Sequence, residues 1–312
     1  MKIATLTLNP AIDKSAAVAQ VVAERKLRCD PPSYDPGGGG INVSRAIRKL
    51  GGDSLAFYLA GGMAGKMLRE LLDQEGLEQQ VLELAGPTRE NVIILEKSSG
   101  QQYRFGMPGP TVQEPEWQRC LEEIEVLLPR LDYLVASGAL PPGIPPDFYG
   151  RLARLAQKHD TRLIVDTSGE SLNLAVAAGV FLIKPNLREF AELVGEEMVD
   201  EVQEERLARE FVASNKSRFV VISLGGAGVL AASPEGVERV PAPVVPLKSK
   251  VGAGDSTVAG MVLALARGKS WPEALRFGVA AGSAAVMTPG TELCRREDTE
   301  RLFAQISQRR SL

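Results

Sequence analysis

The chain has 312 residues, 44% of them hydrophobic, so it can bury a large core and does not have the composition of a disordered protein. Acidic residues outnumber basic ones by 39 to 36, and the net charge of -3 provides no positive field to attract a nucleic acid. No apolar run reaches about 18 residues without a charge or a helix breaker, so we expect no membrane span and a cytoplasmic location.

Short strands rich in β-branched residues alternate along the chain with segments of helical period. Strands are predicted in KIATLTL, SLAFYLA, DYLVASG, TRLIVDTS, FLIKPN and RFVVISLG, and helices in INVSRAIRKL, AGKMLRELLDQEG and much of the chain from residue 253 onward. This alternation predicts an α/β fold with a mostly parallel central sheet and helices on both faces. We expect residues 1–312 to form a single domain.

Two segments, 14–36 and 87–107, interrupt this alternation. Each is predicted to contain a pair of strands without an intervening helix, and the second has a turn at Ser98–Gly100. Strands inserted into a parallel fold in this way often cover a binding site. We therefore expect these segments to form a small β lid.

Polar residues and glycines follow several predicted strands. In an open α/β sheet the ligand binds beyond the carboxyl ends of the strands, so these positions indicate where the site lies. They are Asn9, Asp13, Gly138, Asp166, Lys184, Asn186, Gly225 and Gly226.

The cysteines and the histidine give no sign of a disulfide framework or a zinc site. Cys29, Cys120 and Cys294 are far apart in the sequence, and His159 lies where a helix is predicted to end and a strand to begin. The chemistry must then come from carboxylates, lysines, backbone amides or a metal ion held by oxygen.

A run of four glycines, 37–40, precedes a predicted helix in PGGGGINVSRA. The run is either a flexible turn or a place where the backbone approaches a polar ligand closely, with Asn42 in the first helical turn available to bind hydroxyls. A second glycine motif, GGMAGKM at 61–67, lacks a P-loop glycine at Ala60 and a hydroxyl at Met67. No complete dinucleotide-binding fingerprint follows the first predicted strand either, so neither a P-loop enzyme nor a nicotinamide enzyme is expected.

A lone carboxylate, Asp255, follows small residues at the start of a predicted helix in SKVGAGDSTVAG, 249–260. The free amides at a helix N-terminus favour an anion, which a neighbouring carboxylate would repel. Asp255 is therefore either a helix cap or an acid that takes part in the chemistry.

Two further patterns each allow a structural and a functional interpretation. In IKPNLREFAELVG, Asn186 and Glu189 form either a capping box or part of a hydrated magnesium site. Arg89 and Arg104, on the two strands of the predicted lid hairpin, are either solvated or clamp an anion between them.

Taken together, the motifs have a characteristic order: GGGGIN near residue 40, KPN followed by Glu189, SLGGAG at 223–228 and VGAGD at 251–255. In this order they resemble the ribokinase-like PfkB carbohydrate kinase family along nearly the whole chain. TLTLNPAID at the start and KLRC in the lid segment are most similar to the branch that phosphorylates ketohexose phosphates. The resemblance implies a ribokinase-like three-layer α/β/α fold with a small β lid.

The resemblance also implies phosphoryl transfer from ATP, with Asp255 as general base and the amides of Ala253 and Gly254 facing the transferring phosphoryl group. Asp13, Gly38, Gly39 and Asn42 match positions that hold sugar hydroxyls, and Arg89 and Arg104 match the clamp on the substrate phosphate. The positions that match the family's nucleotide site are Lys184, Asn186, Ser223, Gly225, Gly228, Gly252 and Gly254.

Metal ions and a second subunit are implied in the same way. Glu189 matches the residue that organises Mg2+ through water. The loop that binds K+ in family members is matched by Ser249, Val251, Ala285 and Gly290, although Thr288 and Glu292 differ from the most similar relatives. The lids of family members pair in a homodimer, in which Lys26 of one subunit reaches the site of the other.

The expected substrate is fructose 6-phosphate, phosphorylated at its 1-hydroxyl. In related 1-phosphofructokinases a lysine interrupts the glycine run, whereas Gly39 and Gly40 are adjacent here. 1-Phosphofructokinase and tagatose-6-phosphate kinase remain alternatives because they share these motifs. A catalytically silent sugar-phosphate sensor is an alternative of another class, and the presence of Asp255 and Glu189 argues against it.

Overall fold

A computed structural model describes residues 2–308 of the chain, which form thirteen strands, ten α-helices and two short 3₁₀ helices, at Leu128–Arg130 and Gly225–Ala227. The strands are β1 (Ile3–Thr7), β2 (Ala11–Val18), β3 (Ser33–Gly37), β4 (Leu55–Ala60), β5 (Glu78–Glu83), β6 (Arg89–Glu96), β7 (Gln102–Phe105), β8 (Tyr133–Ser137), β9 (Arg162–Asp166), β10 (Val180–Ile183), β11 (Ser217–Ser223), β12 (Val229–Ser233) and β13 (Gly236–Val240). The helices are α1 (Gly39–Lys49), α2 (Gly62–Gln74), α3 (Glu114–Leu127), α4 (Phe148–Lys158), α5 (Gly169–Ala178), α6 (Leu187–Val194), α7 (Glu201–Ala213), α8 (Ala253–Ala266), α9 (Trp271–Ala285) and α10 (Arg296–Gln308).

The central sheet has nine strands in the order β13-β12-β11-β10-β9-β8-β1-β4-β5. All pairs from β5 to β11 are parallel, and only β12 and β13, at one edge, are antiparallel. Every residue of β1 and β8 is buried, as expected for apolar strands that are covered on both faces. The predicted mostly parallel sheet is confirmed, whereas the polar edge strand β5 was not predicted.

Helices cover both faces of this sheet. Helices α3 to α7 pack on one face around Phe148 and Phe190, and α1, α8, α9 and α10 pack on the other around Ile47 and Leu275. The predicted three-layer α/β/α arrangement is confirmed. None of the helices within residues 2–308 is long and apolar enough to cross a membrane.

A second, smaller sheet has the strand order β3-β2-β6-β7. Its central pair, β2 and β6, is parallel in the register Ala11↔Arg89 to Val18↔Glu96, and the outer pairs are antiparallel. Ile12 anchors this sheet because it is buried in a cluster with Leu68 of α2. The small sheet contains the two segments predicted as a lid, but the parallel pairing of one segment with the other was not predicted.

Candidate active site

A cleft of about 240 Å³ lies at the carboxyl edge of the central sheet. Its walls include Gly39 at the start of α1, Ser137 at the end of β8, Asp166 at the end of β9, Glu189 in α6 and Asp255 in α8. Three carboxylates from three different elements therefore face one space.

Asp255 is the third residue of α8, and the N-cap of this helix is Gly252, with φ 72°. The side chain of Asp255 accepts a 2.9 Å hydrogen bond from Asn42 Nδ2 instead of capping the helix. Burial, reinforced by the nearby charge of Asp166, raises the pKa of Asp255 to about 7, while Asn42 and Lys184 oppose this rise. Asp255 is partly exposed at the cleft, so it is a carboxylate that can accept a proton near neutral pH.

The glycine run leads directly into α1 and is closely packed rather than a loose turn. Gly38 has φ 118°, and a Cβ there would lie 2.6 Å from Thr7 Cγ2. A Cβ at Gly39 would collide with Ser137 Oγ. Because these residues have no side chain, the backbone itself forms one wall of the cleft, in space that a side chain would otherwise occupy.

Lys184 lies between the cleft and the N-terminus of α8. Its Nζ is 3.4 Å from Asp166 Oδ1, and a Cβ placed on Gly254 would be 3.2 Å from the same Nζ. The side chain is only 9% exposed. This position brings a positive charge close to the helix amides where an anion is expected.

Asn186 and Glu189 form the predicted capping box at the start of α6. Asn186 N–H donates to Glu189 Oε2, and Glu189 N–H donates to Asn186 Oδ1, both at 2.9 Å. Glu189 nevertheless lines the cleft. Its role in the capping box therefore does not exclude a role in the site.

The small sheet brings Asp13, Arg89 and Asn91 together. Asn91 Nδ2 donates to Asp13 Oδ1 at 2.7 Å, and Arg89 donates to the carbonyls of Asn9 and Met107 at 3.0 and 3.1 Å. Asn91 was not predicted to belong to the site.

Unlike Arg89, the exposed residues Arg104 and Lys26 are not fixed near the site by hydrogen bonds within the described part of the chain. Arg104 is exposed on β7, which pairs with the strand of Arg89 as expected, and it lies opposite Ile93, four residues along that strand from Arg89. Lys26 is exposed in the connection 19–32, and within residues 2–308 no hydrogen bond or ion pair ties it to the cleft.

A cavity of about 560 Å³ lies on the other side of the α8 N-terminus. Five residues expected to bind nucleotide or phosphoryl group line it: Ser223, Gly225, Gly228, Ala253 and Gly254. Asn186 is joined to Ser223 by a β-bridge. Apolar residues, Val244, Leu247, Val279 and Val286, form much of the remaining wall and were not predicted.

The four residues expected at a K+ loop come from two neighbouring segments. Ser249 Oγ donates to the carbonyl of Gly290 at 2.9 Å, and Val251 N–H donates to Ser249 Oγ at 3.2 Å. Thr288 Oγ1 lies 2.8 Å from the carbonyl of Ala285. The expected carbonyl oxygens therefore lie on segments that are in contact.

The residues missed by sequence reasoning share no motif. In the sequence, Asp166 is marked only by its position at the end of a predicted strand, whereas Ser137 and Asn91 enter the site through strand pairing. For Ser137 and Asn91, the only sequence feature that could have indicated a place in the site is the alternation of side chains along the predicted strands.

A nucleotide-sized cavity and a cleft with a near-neutral carboxylate meet at the glycine-rich N-terminus of one helix. With the three-layer fold, this arrangement defines a small-molecule phosphotransferase. The family model "pfkB family carbohydrate kinase" matches residues 6–298, so the chain belongs to this family. The predicted family and class of enzyme are confirmed.

Similar proteins carry more specific names. ATP-dependent 6-phosphofructokinase isozyme 2 of Escherichia coli (strain K12) is 44% identical over 99% of this chain and 100% of its own length. The crystal structure of E. coli phosphofructokinase-2 in complex with potassium has a TM-score of 0.94 and 43% identity, covering 98% and 99% of the two chains. The same enzyme in complex with fructose-6-phosphate gives a TM-score of 0.92 at 42% identity, with the same coverage.

More distant matches fix the fold and mark the alternatives. An Arabidopsis thaliana ribokinase, 20% identical, has a TM-score of 0.77 over 97% of this chain and 98% of its own, which shows a ribokinase-like fold. A Bacillus subtilis 1-phosphofructokinase is 32% identical over 92% of this chain and 94% of its own length. A Staphylococcus epidermidis tagatose-6-phosphate kinase is 30% identical over 97% and 98%.

Proposed function

We propose that this protein transfers the γ-phosphoryl group of ATP to the 1-hydroxyl of fructose 6-phosphate, forming fructose 1,6-bisphosphate and ADP. The identity to a named 6-phosphofructokinase is 44%, against 30–32% for the two alternative kinases, which supports this substrate. The reaction would belong to glycolysis, and its soluble substrates support the expected cytoplasmic location.

The observation that carries the proposal is the position of Asp255 beside the N-terminus of α8. As the sugar O1 attacks phosphorus, the bond from the γ-phosphorus to the β–γ bridging oxygen breaks, and the O1 proton passes to Asp255. A carboxylate whose pKa is raised to about 7 can accept this proton. The amides of Ala253 and Gly254 would stabilise the charge on the transferring group.

The sugar phosphate would lie between the cleft and the small sheet, with its hydroxyls on Asp13, Gly38, Gly39 and Asn42. Arg89 and Arg104 would bind the 6-phosphate, because a guanidinium matches phosphate geometry with two parallel hydrogen bonds. Their position on the small sheet supports a lid that closes over the sugar phosphate.

The nucleotide would occupy the cavity of about 560 Å³, next to Ser223, Gly225 and Gly228. Lys184, Asn186 and Gly252 would complete this site near the phosphates. The exposed apolar residues Val244 and Leu247 at the cavity rim provide a surface on which an adenine ring can lie.

Glu189 would hold Mg2+ through water. The position of Glu189 fits this role because the Asn186 N–H bonds to only one of its carboxylate oxygens, Oε2. The side chain also lines the cleft with Asp166 and Asp255, where a hydrated ion would bind. When bound, the ion supplies positive charge that offsets the repulsion between the ATP phosphates and these carboxylates.

A K+ ion would be held by oxygen atoms of Ser249, Val251, Ala285 and Gly290. The hydrogen bond between Ser249 and Gly290 supports this grouping because it joins the two segments. The potassium complex of E. coli phosphofructokinase-2, 43% identical, is a second support.

A homodimer would form through the small sheets. β3 and β7 are the edge strands of this sheet, and Phe105 of β7 is 52% exposed, so a second copy can cover an open strand edge together with a large apolar side chain. Lys26 of a second copy would then reach the site. Sedimentation at assay concentration checks this, and a fully active monomer would contradict both the dimer and the role of Lys26.

The substrate is tested by incubating the protein with Mg2+, ATP and a panel of fructose 6-phosphate, fructose 1-phosphate, tagatose 6-phosphate and free fructose. We expect the highest kcat/KM with fructose 6-phosphate. A preference for another sugar phosphate would replace the substrate and keep the kinase. Absence of ATP turnover with every sugar would favour the silent sensor.

A further inference from the structure

Arg45 is a buried arginine that has no place among the expected site residues. It lies in α1, three residues after Asn42, and is 3% exposed. Its Nε donates to both carboxylate oxygens of Glu75, at 2.9 and 3.0 Å. This ion pair joins α1 to the C-terminus of α2.

The other side of the guanidinium faces the active site. Nη1 of Arg45 donates to the carbonyl of Pro36 at 3.1 Å, to that of Thr291 at 3.4 Å and to Asn42 Oδ1 at 3.4 Å. One side chain therefore contacts the residue before the glycine run, the loop after α9 and the asparagine that bonds Asp255.

The guanidinium fixes which way the amide of Asn42 points. Arginine has only N–H donors and no acceptor, so the amide must turn its oxygen toward Arg45. Its Nδ2 is then directed to Asp255 Oδ2, at 2.9 Å. At 3.4 Å the bond to Arg45 is long, but the attraction between its charge and the amide dipole favours the same orientation.

We propose that Arg45 is a positioning residue that orients Asn42, so that Asp255 receives an N–H donor and is held as a carboxylate ready to accept a proton. The proposal rests on the proposed role of Asp255 as the base. Without Arg45, the amide of Asn42 can turn over and offer its oxygen, which favours the protonated form of Asp255.

The groups that face Asp255 define what else sets its ionisation. Asp166, at the end of β9, raises its pKa, whereas the hydrogen bond from Asn42 and the charge of Lys184, directly after β10, lower it. Glu189 of α6 lines the same cleft. The charge of Arg45 acts on Asp35, whose pKa it lowers against the effect of burial, but it is not among the charges that shift the pKa of Asp255. Its influence on Asp255 therefore passes through Asn42.

Two substitutions separate orientation from simple loss of packing. Both Arg45→Lys and Arg45→Gln lose the planar fork, but lysine is still only a donor, whereas glutamine offers either a donor or an acceptor. We expect Arg45→Gln to move the acid limb of kcat/KM upward by about one pH unit, with Arg45→Lys close to the unmutated protein. The proposal would be overturned if the acid limb of the kcat/KM profile had the same pKa in both variants.

Arg276→Gln is the matched control. Arg276 of α9 is 15% exposed and forms a 3.2 Å ion pair with Glu238, so its loss also breaks a largely buried pair. Its acid limb should coincide with that of the unmutated protein. A shift equal to that of Arg45→Gln would assign the effect to general destabilisation and overturn the proposal.

A measurement that does not need turnover completes the test. With selective ¹⁵N-asparagine labelling, the Asn42 side-chain resonance, assigned by its loss in Asn42→Ala, should follow the ionisation of Asp255 and lose this pH dependence in Asp255→Asn. Arg45→Gln should move the midpoint of this titration to higher pH.

A moved midpoint without kinase activity would refute the proposed function alone, and an unmoved midpoint in an active enzyme would refute the role of Arg45 alone. If neither variant folds, a pH-independent resonance in the unmutated protein still overturns the proposal, and a titrating one supports the hydrogen bond between Asn42 and Asp255 on which it depends.

Discussion

Lys184 Nζ lies 3.4 Å from Asp166 Oδ1, and these two opposite charges act on Asp255 in opposite directions. Asp166 raises the pKa of Asp255, and Lys184 lowers it. The ends of β9 and β10, which are neighbours in the sheet, thus provide the two opposing charges beside the proposed base.

This relationship predicts opposite shifts in the pH profile. Asp166→Asn should move the acid limb of kcat to lower pH, because a nearby negative charge is removed. Lys184→Met should move it to higher pH, because a positive charge is removed. The measurement is kcat against pH at saturating ATP and sugar phosphate, and a shift of both variants in the same direction would contradict this account.

Substitution of Arg104 tests whether the enzyme recognises the phosphate group of its sugar substrate. A charge-assisted hydrogen bond is worth roughly 1.5–3 kcal/mol, so Arg104→Gln should lower kcat/KM for fructose 6-phosphate by about one to two decades. Lysine should rescue poorly because it lacks the planar fork. Arg119→Gln, at an exposed arginine of α3, is the control. Equal use of free fructose by the unmutated protein would refute the phosphate clamp.

The sequence predicted the layers of this fold better than it predicted the site. Strands such as TRLIVDTS are apolar enough to be recognised alone, and the glycine motifs before α1 and α8 require special backbone geometry. Asn91 and Arg45 carry no such signal. Asn91 meets Asp13 only because β2 and β6 pair in parallel, and Arg45 meets Thr291 across 246 residues. Contacts of this kind depend on tertiary packing, which no local pattern encodes.

Glu189 can be tested without disturbing the helix it caps. Glutamine also completes a capping box, so Glu189→Gln should keep the thermal midpoint within about 2 °C of the unmutated protein. It should raise the Mg2+ concentration needed for half-maximal activity, because a neutral amide attracts the hydrated ion less strongly. Glu189→Ala, which loses both functions, should lower the thermal midpoint as well. An unchanged Mg2+ requirement in Glu189→Gln would leave only the capping role.

The ionisation of Asp255 also predicts how stability changes with pH. Its pKa is about 7 in the folded chain against 3.8 for the unperturbed group, so the folded state binds more protons between these values and stability falls as pH rises through this window. Asp255→Asn has no such ionisation. Its stability relative to the unmutated protein should therefore increase from pH 4 to pH 8, by an amount on the order of a few kcal/mol. Denaturant unfolding at both pH values measures this, and a constant difference would refute the raised pKa.

The decisive prediction concerns the role of Asp255 in the reaction. An alcohol is a weak nucleophile, and its proton must leave as the bond to phosphorus forms, so a positioned base should contribute about two to four decades in rate. Asparagine keeps the size of the side chain but cannot take up that proton. Asp255→Asn should therefore lower turnover at least a hundredfold, by roughly the contribution of the base.

ATP affinity should be unchanged or slightly higher in this variant, because a negative charge near the phosphates is removed. Calorimetric titration with ATP and Mg2+ and single-turnover kinetics measure the two effects separately. Since Gly252 rather than Asp255 is the N-cap of α8, the substitution removes no capping residue. If Asp255→Asn keeps more than about a tenth of the activity where chemistry limits the rate, Asp255 is not the base.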